Sequence, residues 1–278
     1  MTTKQTNLPR GVLAAGGVLD RIVEAKVKRL NEAKRRTPLE QVKNLAARKL
    51  NSFRAALTRG GVNVIAEIKH RSPSKGIIRE DFDPVRIAES YANAGAAALS
   101  VLVEEDFFGG SLEHLRAIRR RVDLPLLRKD FIFDDYQLYE SASAGADAVL
   151  LIVAILEDEL LARLIRSAGE LGLDALVEVH SAVEMNRAAQ AGATIVGVNN
   201  RDLTTFAVDL DTSIHLARLA PDGAILVSES GINSGSDIRH LKLAGFSAFL
   251  VGEHLMRAKD PGAALRQLIS EAEAGVSS

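Results

Sequence analysis

The chain has 278 residues, close to the roughly 250 of one (β/α)8 barrel, so a large buried core is possible. Hydrophobic residues make up 47%, charged residues 26%, and the net charge is −1; no basic stripe favours nucleic acid, and an anionic ligand must be attracted by local charge. The chain has no cysteine, which excludes disulfides, thiolate metal sites and a cysteine nucleophile and favours a cytoplasmic protein.

The first part of the chain, residues 1–55, precedes the first strand candidate and carries two helical patterns, Leu19–Arg35 and Leu39–Leu57. This part is too short for an independent domain. We therefore predict one catalytic domain over residues 1–278, in which an N-terminal helical extension, 1–55, packs on a body formed by 56–278.

Two apolar stretches could be mistaken for targeting or membrane segments. Gly11–Leu19 is interrupted by glycines and followed by charged residues, so we expect it to pack on the protein body and not to act as a signal peptide. The longest apolar run, Ala148–Leu156, is far shorter than the ~20 residues of a membrane helix. The sequence therefore predicts no membrane partner.

One junction recurs four times along the rest of the chain: a helical pattern ends at a glycine, and an apolar run follows within a few residues. The spacings between these glycines are 50, 47 and 53 residues, for Gly95, Gly145, Gly192 and Gly245. Each glycine is expected to have a positive φ at the end of a helix, and each apolar run to be a buried strand.

Four further apolar runs lie between these junctions and bring the predicted strands to eight: Val62–Ile68, Leu124–Leu127, Ala175–Val179 and Ala224–Val227. Amphipathic helices such as Asp158–Leu171 and Ser181–Ala191 separate them. The runs do not alternate regularly, as is typical of parallel strands covered by helices. A doubly wound sheet would need a glycine-rich phosphate loop after the first strand, where the chain instead reads Glu67-Ile-Lys-His-Arg-Ser-Pro-Ser. We predict an α/β fold, a single (β/α)8 TIM barrel with an N-terminal helical extension.

Polar residues follow almost every predicted strand, at the end where such barrels place their active sites. They are Glu67 and Lys69; Glu104 and Glu105; Lys129 and Asp130; Glu178; Asn199, Asn200 and Arg201; Ser228, Glu229, Ser230 and Gly231; and Gly252 and Glu253. Because an unpaired buried charge is costly, charges that repeatedly end apolar strands are expected to meet. They predict a site for a small phosphorylated anion; an ion-pair network that only closes the barrel is the alternative.

Three segments of small residues suit a phosphate group, because they let backbone N–H groups approach an anion: Ser228–Asp237, Val251–Met256 and Ser72–Gly76. We expect the helix that starts after the last strand to add a favourable dipole. The six histidines lack metal-ligand spacing, so no metal is predicted. Ser228-Glu-Ser-Gly also lacks the Gly-x-Ser-x-Gly elbow of a serine hydrolase.

The same segments resemble one family. Ile65-Ala-Glu-Ile-Lys-His-Arg-Ser-Pro-Ser, Leu127-Arg-Lys-Asp-Phe-Ile, Leu176-Val-Glu-Val, Gly197-Val-Asn-Asn-Arg-Asp-Leu, Ser228-Glu-Ser-Gly-Ile and Leu250-Val-Gly-Glu are similar to indole-3-glycerol phosphate synthases, in order, between about Leu19 and Met256. The resemblance implies a cofactor-free lyase of tryptophan biosynthesis. Such an enzyme closes the indole ring of 1-(2-carboxyphenylamino)-1-deoxyribulose 5-phosphate and releases CO2 and water.

The resemblance also implies roles for individual residues. Lys129 would be the general acid, and we expect desolvation and the neighbouring Lys69 to lower its pKa. The other implied roles are base for Glu178; positioning for Glu67 and Asn199; completion of the charge network for Glu229; substrate-carboxylate binding for Lys69 and Arg201; and phosphate binding for Ser72, Ser230, Gly231 and Gly252. Some family members have serine where this chain has Glu253. Since a carboxylate would repel phosphate, only the backbone of Gly252 is assigned there. The extension is expected to help cover the site.

Two other functions stay open on the sequence. A Schiff-base aldolase would use Lys129 as nucleophile, and borohydride with a ketose phosphate would trap its adduct. A non-catalytic barrel would bind a phosphorylated ligand without turnover. We expect a monomer or weak homo-oligomer whose only partner is the small-molecule phosphorylated substrate.

Overall fold

The computed structural model describes residues 8–45, 52–202 and 205–274. Its ten strands are β1 Asn63–Ile68, β2 Arg71–Ser72, β3 Gly76–Ile77, β4 Ala98–Leu102, β5 Leu126–Lys129, β6 Ala148–Ile152, β7 Asp174–Val179, β8 Ile195–Asn199, β9 Ile225–Glu229 and β10 Ala248–Val251. Its twelve α-helices are α1 Gly17–Arg36, α2 Leu39–Leu45, α3 Phe53–Leu57, α4 Pro84–Asn93, α5 Leu112–Arg119, α6 Asp135–Ala144, α7 Asp158–Glu170, α8 Ala182–Gln190, α9 Asp211–Ala217, α10 Gly235–Leu243, α11 Glu253–Arg257 and α12 Pro261–Ala274.

Eight of these strands form a closed parallel barrel in the order β1-β10-β9-β8-β7-β6-β5-β4, while β2 and β3 form a short antiparallel hairpin after β1. All six residues of β1 and all five of β4 and β6 are buried, because the barrel interior covers one face and the helices cover the other. The predicted TIM barrel is confirmed.

The recurring glycines end helices as predicted. Gly95, Gly145, Gly192 and Gly245 have φ between 84° and 101°, a region that L side chains rarely adopt. Several helix starts are capped by side chains; at α10, Ser234 and Asp237 form a reciprocal capping box. Local signals in the sequence thus set the length of each β/α unit.

Two predicted strands lie later in the chain than expected. The strand predicted at Leu124–Leu127 runs over Leu126–Lys129, because Pro125 has no N–H for the ladder and the strand continues into the charged residues. Similarly, the run Ala224–Val227 corresponds to β9, which begins at Ile225 and extends to Glu229. Both shifts bring predicted site residues, Lys129 and Glu229, into the strand ends.

The N-terminal extension packs against the barrel through α1. Leu19, Ile22, Val23 and Leu30 on one face of α1 are buried. The segment before it packs on the body as predicted, since the carbonyl oxygen of Gly11 accepts a hydrogen bond from the backbone N of Glu157 at 2.8 Å. The second helical pattern, predicted over Leu39–Leu57, contains α2 and α3, and residues 46–51 between them lie outside the described residues. Among the helices described, none combines the length and apolarity required to span a bilayer.

Candidate active site

A cavity of about 990 Å³ opens where the barrel strands end. This volume is sufficient for a ligand with an aromatic ring and a phosphorylated chain. The cavity is lined by every residue for which the sequence predicted a role: Glu67, Lys69, Ser72, Lys129, Glu178, Asn199, Arg201, Glu229, Ser230, Gly231 and Gly252. The barrel therefore brings residues from six strand ends to one place.

Lys129 lies at the centre of the charged part of the cavity. Its Nζ donates a hydrogen bond of 2.8 Å to Glu178 Oε2 and also contacts Glu229 Oε2. All three side chains are at most 14% exposed. A second pair, Lys69 and Glu67, forms a direct ion pair nearby on β1 and the residue that follows it.

The charges of this cluster shift the pKa of each partner. Burial alone would lower the pKa of Lys129, but the carboxylates of Glu178, Glu229 and Glu67 raise it above its ordinary value. Burial opposes ionisation of Glu178, yet Lys129 and His180 hold its pKa below the usual range. For Glu229, burial dominates over the attraction of Lys129 and raises the pKa to about 7. Lys129 is thus a cation and Glu178 a carboxylate near neutral pH.

The expected lowering of the Lys129 pKa is wrong. The expectation assumed that Lys69 would crowd Lys129, but the ammonium of Lys69 is paired with Glu67. The groups that surround Lys129 are carboxylates, and they favour its charged form.

Two glycines make room for the carboxylates. A Cβ at Gly252 would collide with the carboxylate of Glu67, and a Cβ at Gly197 on β8 would collide with that of Glu229. The sequence predicted only a phosphate contact for Gly252 and no role for Gly197. A glycine in the middle of an apolar strand was the available signal, because it often marks a close approach of another group.

Arg201 is held at the edge of the cavity. Its backbone N donates to Asn199 Oδ1 at 3.1 Å, and its guanidinium donates to the carbonyl oxygen of Phe206 at 3.2 Å. The guanidinium also lies 3.5 Å from Glu253, whose other oxygen pairs with Arg257 at 3.0 Å. Glu253 is therefore partly neutralised by two arginines.

Small residues form another edge of the cavity. Ser230 and Gly231 have φ of 66° and 84°, so the backbone turns sharply after β9. The buried side chain of Asn200 holds this turn by donating to the carbonyl oxygens of Glu229 and Ser230 at 3.0 and 3.1 Å. Ser72 approaches from the β2–β3 hairpin. The helix after β10, α11, has only five residues, so its dipole is weaker than expected.

Some polar residues at strand ends do not line the cavity. Glu104 is buried and accepts hydrogen bonds of 2.8–3.0 Å from three backbone N–H groups in the loop after β4. Glu105 pairs with Lys26 of α1 at 3.0 Å. Asn200 and Ser228 hydrogen-bond each other in the barrel wall. These residues shape the strand ends without facing the ligand space.

The other half of the cavity is apolar. Its lining includes Phe108, Phe131, Leu150 and Ile152 from the barrel, and Val18, Leu19 and Ile22 from the start of α1. Among the described residues, no group of three or more histidine, aspartate or glutamate side chains could hold a metal ion.

A closed barrel with a cavity at its strand ends, lined by a buried lysine–carboxylate pair and by apolar side chains, is typical of a TIM-barrel enzyme. The model of the family described as indole-3-glycerol phosphate synthase matches residues 19–268. The chain is 48% identical over 262 residues to the indole-3-glycerol phosphate synthase of Carboxydothermus hydrogenoformans, covering 91% of this chain and 99% of that protein. It is 45% identical over 268 residues to the enzyme of Lachnoclostridium phytofermentans, with the same coverage of 91% and 99%. The chain belongs to the indole-3-glycerol phosphate synthase family.

More distant solved structures share the fold alone. One is 3-hexulose-6-phosphate synthase from Salmonella typhimurium, with a TM-score of 0.62, 16% identity, and coverage of 77% of this chain and 99% of that one. The N-acetylmannosamine-6-phosphate 2-epimerase of Clostridium perfringens has a TM-score of 0.60, 14% identity, and coverage of 83% and 99%.

Proposed function

We propose that this cavity converts 1-(2-carboxyphenylamino)-1-deoxyribulose 5-phosphate into indole-3-glycerol phosphate, CO2 and water. The observation that carries the proposal is the contact of 2.8 Å between the Lys129 ammonium and the Glu178 carboxylate in a cavity that both apolar and polar side chains line. An acid and a base in such a cavity suit a reaction that joins an aromatic ring to a sugar-phosphate carbonyl group.

Ring closure needs a proton donor. The ring carbon that bears the carboxylate attacks the ketone carbon, with electrons supplied by the aniline nitrogen, and the ketone oxygen must gain a proton as the bond forms. Lys129 supplies this proton: its carboxylate neighbours keep it in the charged form, and its place in the cavity, not an increased acidity, supports the role. Loss of CO2 then returns the bonding electrons to the ring and restores its aromaticity.

Dehydration needs a base. A proton on the new five-membered ring must leave as the hydroxyl group departs, and Glu178 accepts it, because Lys129 and His180 keep that carboxylate ionised against the effect of burial. The departing hydroxyl takes a second proton from a neighbouring lysine and leaves as water. Two protons are donated and one is accepted, so each turnover consumes one proton.

The remaining residues bind and orient the substrate. Lys69 and Arg201 hold the substrate carboxylate, and Glu67 orients Lys69 through their ion pair. Ser72, Ser230, Gly231 and the backbone of Gly252 bind the phosphate. The aromatic ring packs in the apolar half, where α1 covers it. Asn199 positions the hydroxyl group, and Glu229 completes the charge network.

The test is the appearance of the indole ring of indole-3-glycerol phosphate when the protein is given the carboxyphenylamino substrate. Since the chain contains no tryptophan, indole absorbance and fluorescence would grow against little protein background. Turnover supports the proposal, and substrate binding without any indole product would leave the non-catalytic barrel in its place.

A trapping experiment distinguishes the proposed lyase from a Schiff-base aldolase. Borohydride with a ketose phosphate should give no adduct on Lys129, and an adduct would make this lysine a nucleophile. A single catalytic domain over residues 1–278, a cytoplasmic location and a monomer or weak homo-oligomer stay predictions.

A further inference from the structure

The imidazole of His180 lies between two carboxylates just outside the cavity. His180 follows β7 and is two residues beyond Glu178. Its Nε2 is 3.4 Å from Glu178 Oε1, and its Nδ1 is 3.2 Å from Glu184 Oε2. The side chain is 12% exposed, so these two contacts dominate its surroundings. The sequence predicted no role for His180, which is one of six histidines without metal-ligand spacing.

The start of α8 fixes the position of Glu184. The hydroxyl of Ser181 accepts a hydrogen bond of 3.2 Å from the backbone N of Glu184. In return, Glu184 Oε2 accepts one of 2.8 Å from the backbone N of His180. This exchange follows the logic of a capping box, one residue earlier. Glu184 is thus held where it orients the His180 ring.

The two oxygens of Glu178 face different cations. Oε2 accepts from Lys129 at 2.8 Å, whereas Oε1 faces Nε2 of His180. This Nε2 is buried and has no hydrogen-bond partner among the residues described. A separation of 3.4 Å is too long for a strong hydrogen bond, but a sub-ångström shift would close it.

Carboxylates on three elements surround the ring: Glu178 on β7, Glu184 on α8 and Glu229 on β9. Burial alone would lower the pKa of His180, but these three groups outweigh it and raise the pKa above its ordinary value. His180 in turn helps Lys129 to hold the pKa of Glu178 down. The two pKa shifts therefore agree with the contact distance: the His180 ring acts as a second cation beside Glu178, after Lys129.

We propose that His180 is a positioning residue for the base, and that its imidazolium, oriented by Glu184, keeps Glu178 ionised with one oxygen fixed toward the cavity. The inference rests on the role of Glu178 proposed above. It adds an interaction between His180 and Glu178 that lies outside the cavity and takes no direct part in the reaction.

The test is the pH profile of kcat in His180→Gln. Glutamine keeps a hydrogen-bond donor and a similar size but carries no charge, so Glu178 should hold its proton to higher pH. We expect the acid limb of kcat to move up by about one pH unit, the scale of a lost opposite charge at this distance. KM should stay within about twofold, since substrate contacts are untouched. The matched control is His114→Gln, a half-buried histidine on α5 away from the cavity.

Glu184→Gln is the second variant. Its amide oxygen can still accept from the His180 backbone, so it tests the charge without removing the ring, and it serves if His180→Gln does not fold. The acid limb should move in the same direction by a smaller amount. An unmoved limb in the folded variants, or a fall in kcat, KM and Tm together without a shift, would overturn the inference. Glu178→Gln separates the two proposals. If Glu178→Gln keeps a normal kcat, the assignment of Glu178 as the base fails. If Glu178→Gln loses kcat but the pH profile of His180→Gln is normal, the base assignment stands and only the inference about His180 fails.

Discussion

Lys129 and Asp130 are neighbours in the chain, yet their side chains enter two separate charge clusters. The mouth cluster consists of Lys69 and Lys129 with three carboxylates, Glu67, Glu178 and Glu229. The flank cluster, between α1 and the barrel, also has two cations and three carboxylates: Lys26 and Arg128 share Asp130, and they pair separately with Glu105 and Glu140. Both clusters are largely buried, so neither gains much from solvent.

The flank cluster satisfies its own hydrogen bonds. Asp130 Oδ2 accepts from Arg128 at 2.8 and 3.1 Å and from Lys26 at 3.2 Å, and Oδ1 accepts from the backbone N of Phe131 at 2.9 Å. In the mouth cluster, Glu229 Oε1 is buried without a hydrogen-bond partner among the described residues. A structural cluster is thus complete by itself, whereas the mouth cluster keeps unused capacity for a ligand.

Of the changes considered, breaking the flank cluster should have the largest effect, and this effect should be a loss of unfolding free energy. Asp130→Asn leaves Lys26 and Arg128 buried with one charged partner fewer, so we expect a loss of about 3 kcal/mol or more in unfolding free energy. The kcat of the folded variant should change less than about tenfold, because Lys129 keeps its partners. Urea unfolding followed by circular dichroism measures the loss, with exposed Asp222→Asn as control. Equal stability of the two variants would contradict a structural role.

Breaking the mouth cluster should show mainly in turnover. Lys129→Ala removes the proposed proton donor, and kcat should fall at least ~10²-fold while the substrate still binds. Steady-state indole formation gives kcat, and calorimetry with the inactive variant gives binding. Lys242→Ala, at an exposed lysine of α10, is the control. Near-normal turnover of Lys129→Ala would remove Lys129 from its role as acid.

The sequence was sufficient for the barrel because the fold is encoded locally. The glycine junctions end the helices and the apolar runs form the strands, so eight alternations could be counted without contacts. Boundaries were less secure. Pro125 moved β5 by two residues, because a missing backbone donor decides where a ladder begins and hydrophobicity does not report it.

For the site, the sequence could predict which residues gather but not how they pair. Position at a strand end placed Lys129 and Glu178 together, whereas the pKa of Lys129 depends on which charge lies nearest, and this is a matter of side-chain packing. The part played by Gly197 was missed for the same reason, since it exists only in relation to the Glu229 carboxylate across the strand pair. The proposed role of His180 likewise depends on the distance between its Nε2 and Glu178 Oε1, which the sequence does not reveal.

Glu178 tests the acid–base division within the mouth cluster. Glu178→Gln keeps the hydrogen-bond acceptor for Lys129 but cannot take up a proton. We expect kcat to fall at least about tenfold and KM to change less than about threefold. Glu159→Gln, on the exposed start of α7, is the matched control. A change confined to KM would argue for a binding role.

Glu229 gives the mouth cluster a pH dependence of stability that the flank cluster lacks near neutrality. Burial raises its pKa from 4.5 to about 7, so between these values the unfolded chain has released a proton that the native protein retains. The unfolding free energy therefore falls as the pH rises through this window. Asp130 behaves in the opposite way: its pKa is lowered from 3.8, and its contribution is lost only below that pH.

Glu229→Gln cannot titrate, so it should lack this fall. The unfolding free energy of Glu229→Gln minus that of the wild type should grow by about 1 to 2 kcal/mol between about pH 5 and pH 7.5. Because Glu229 helps to raise the pKa of His180, the variant also loses part of the fall in stability that His180 contributes, which changes the difference in the same direction. The same measurement on Asp222→Asn, where no buried carboxylate is removed, should give a constant difference. If Glu229→Gln also gives a constant difference, Glu229 is already ionised at pH 5, and the mouth cluster is as well balanced as the flank cluster.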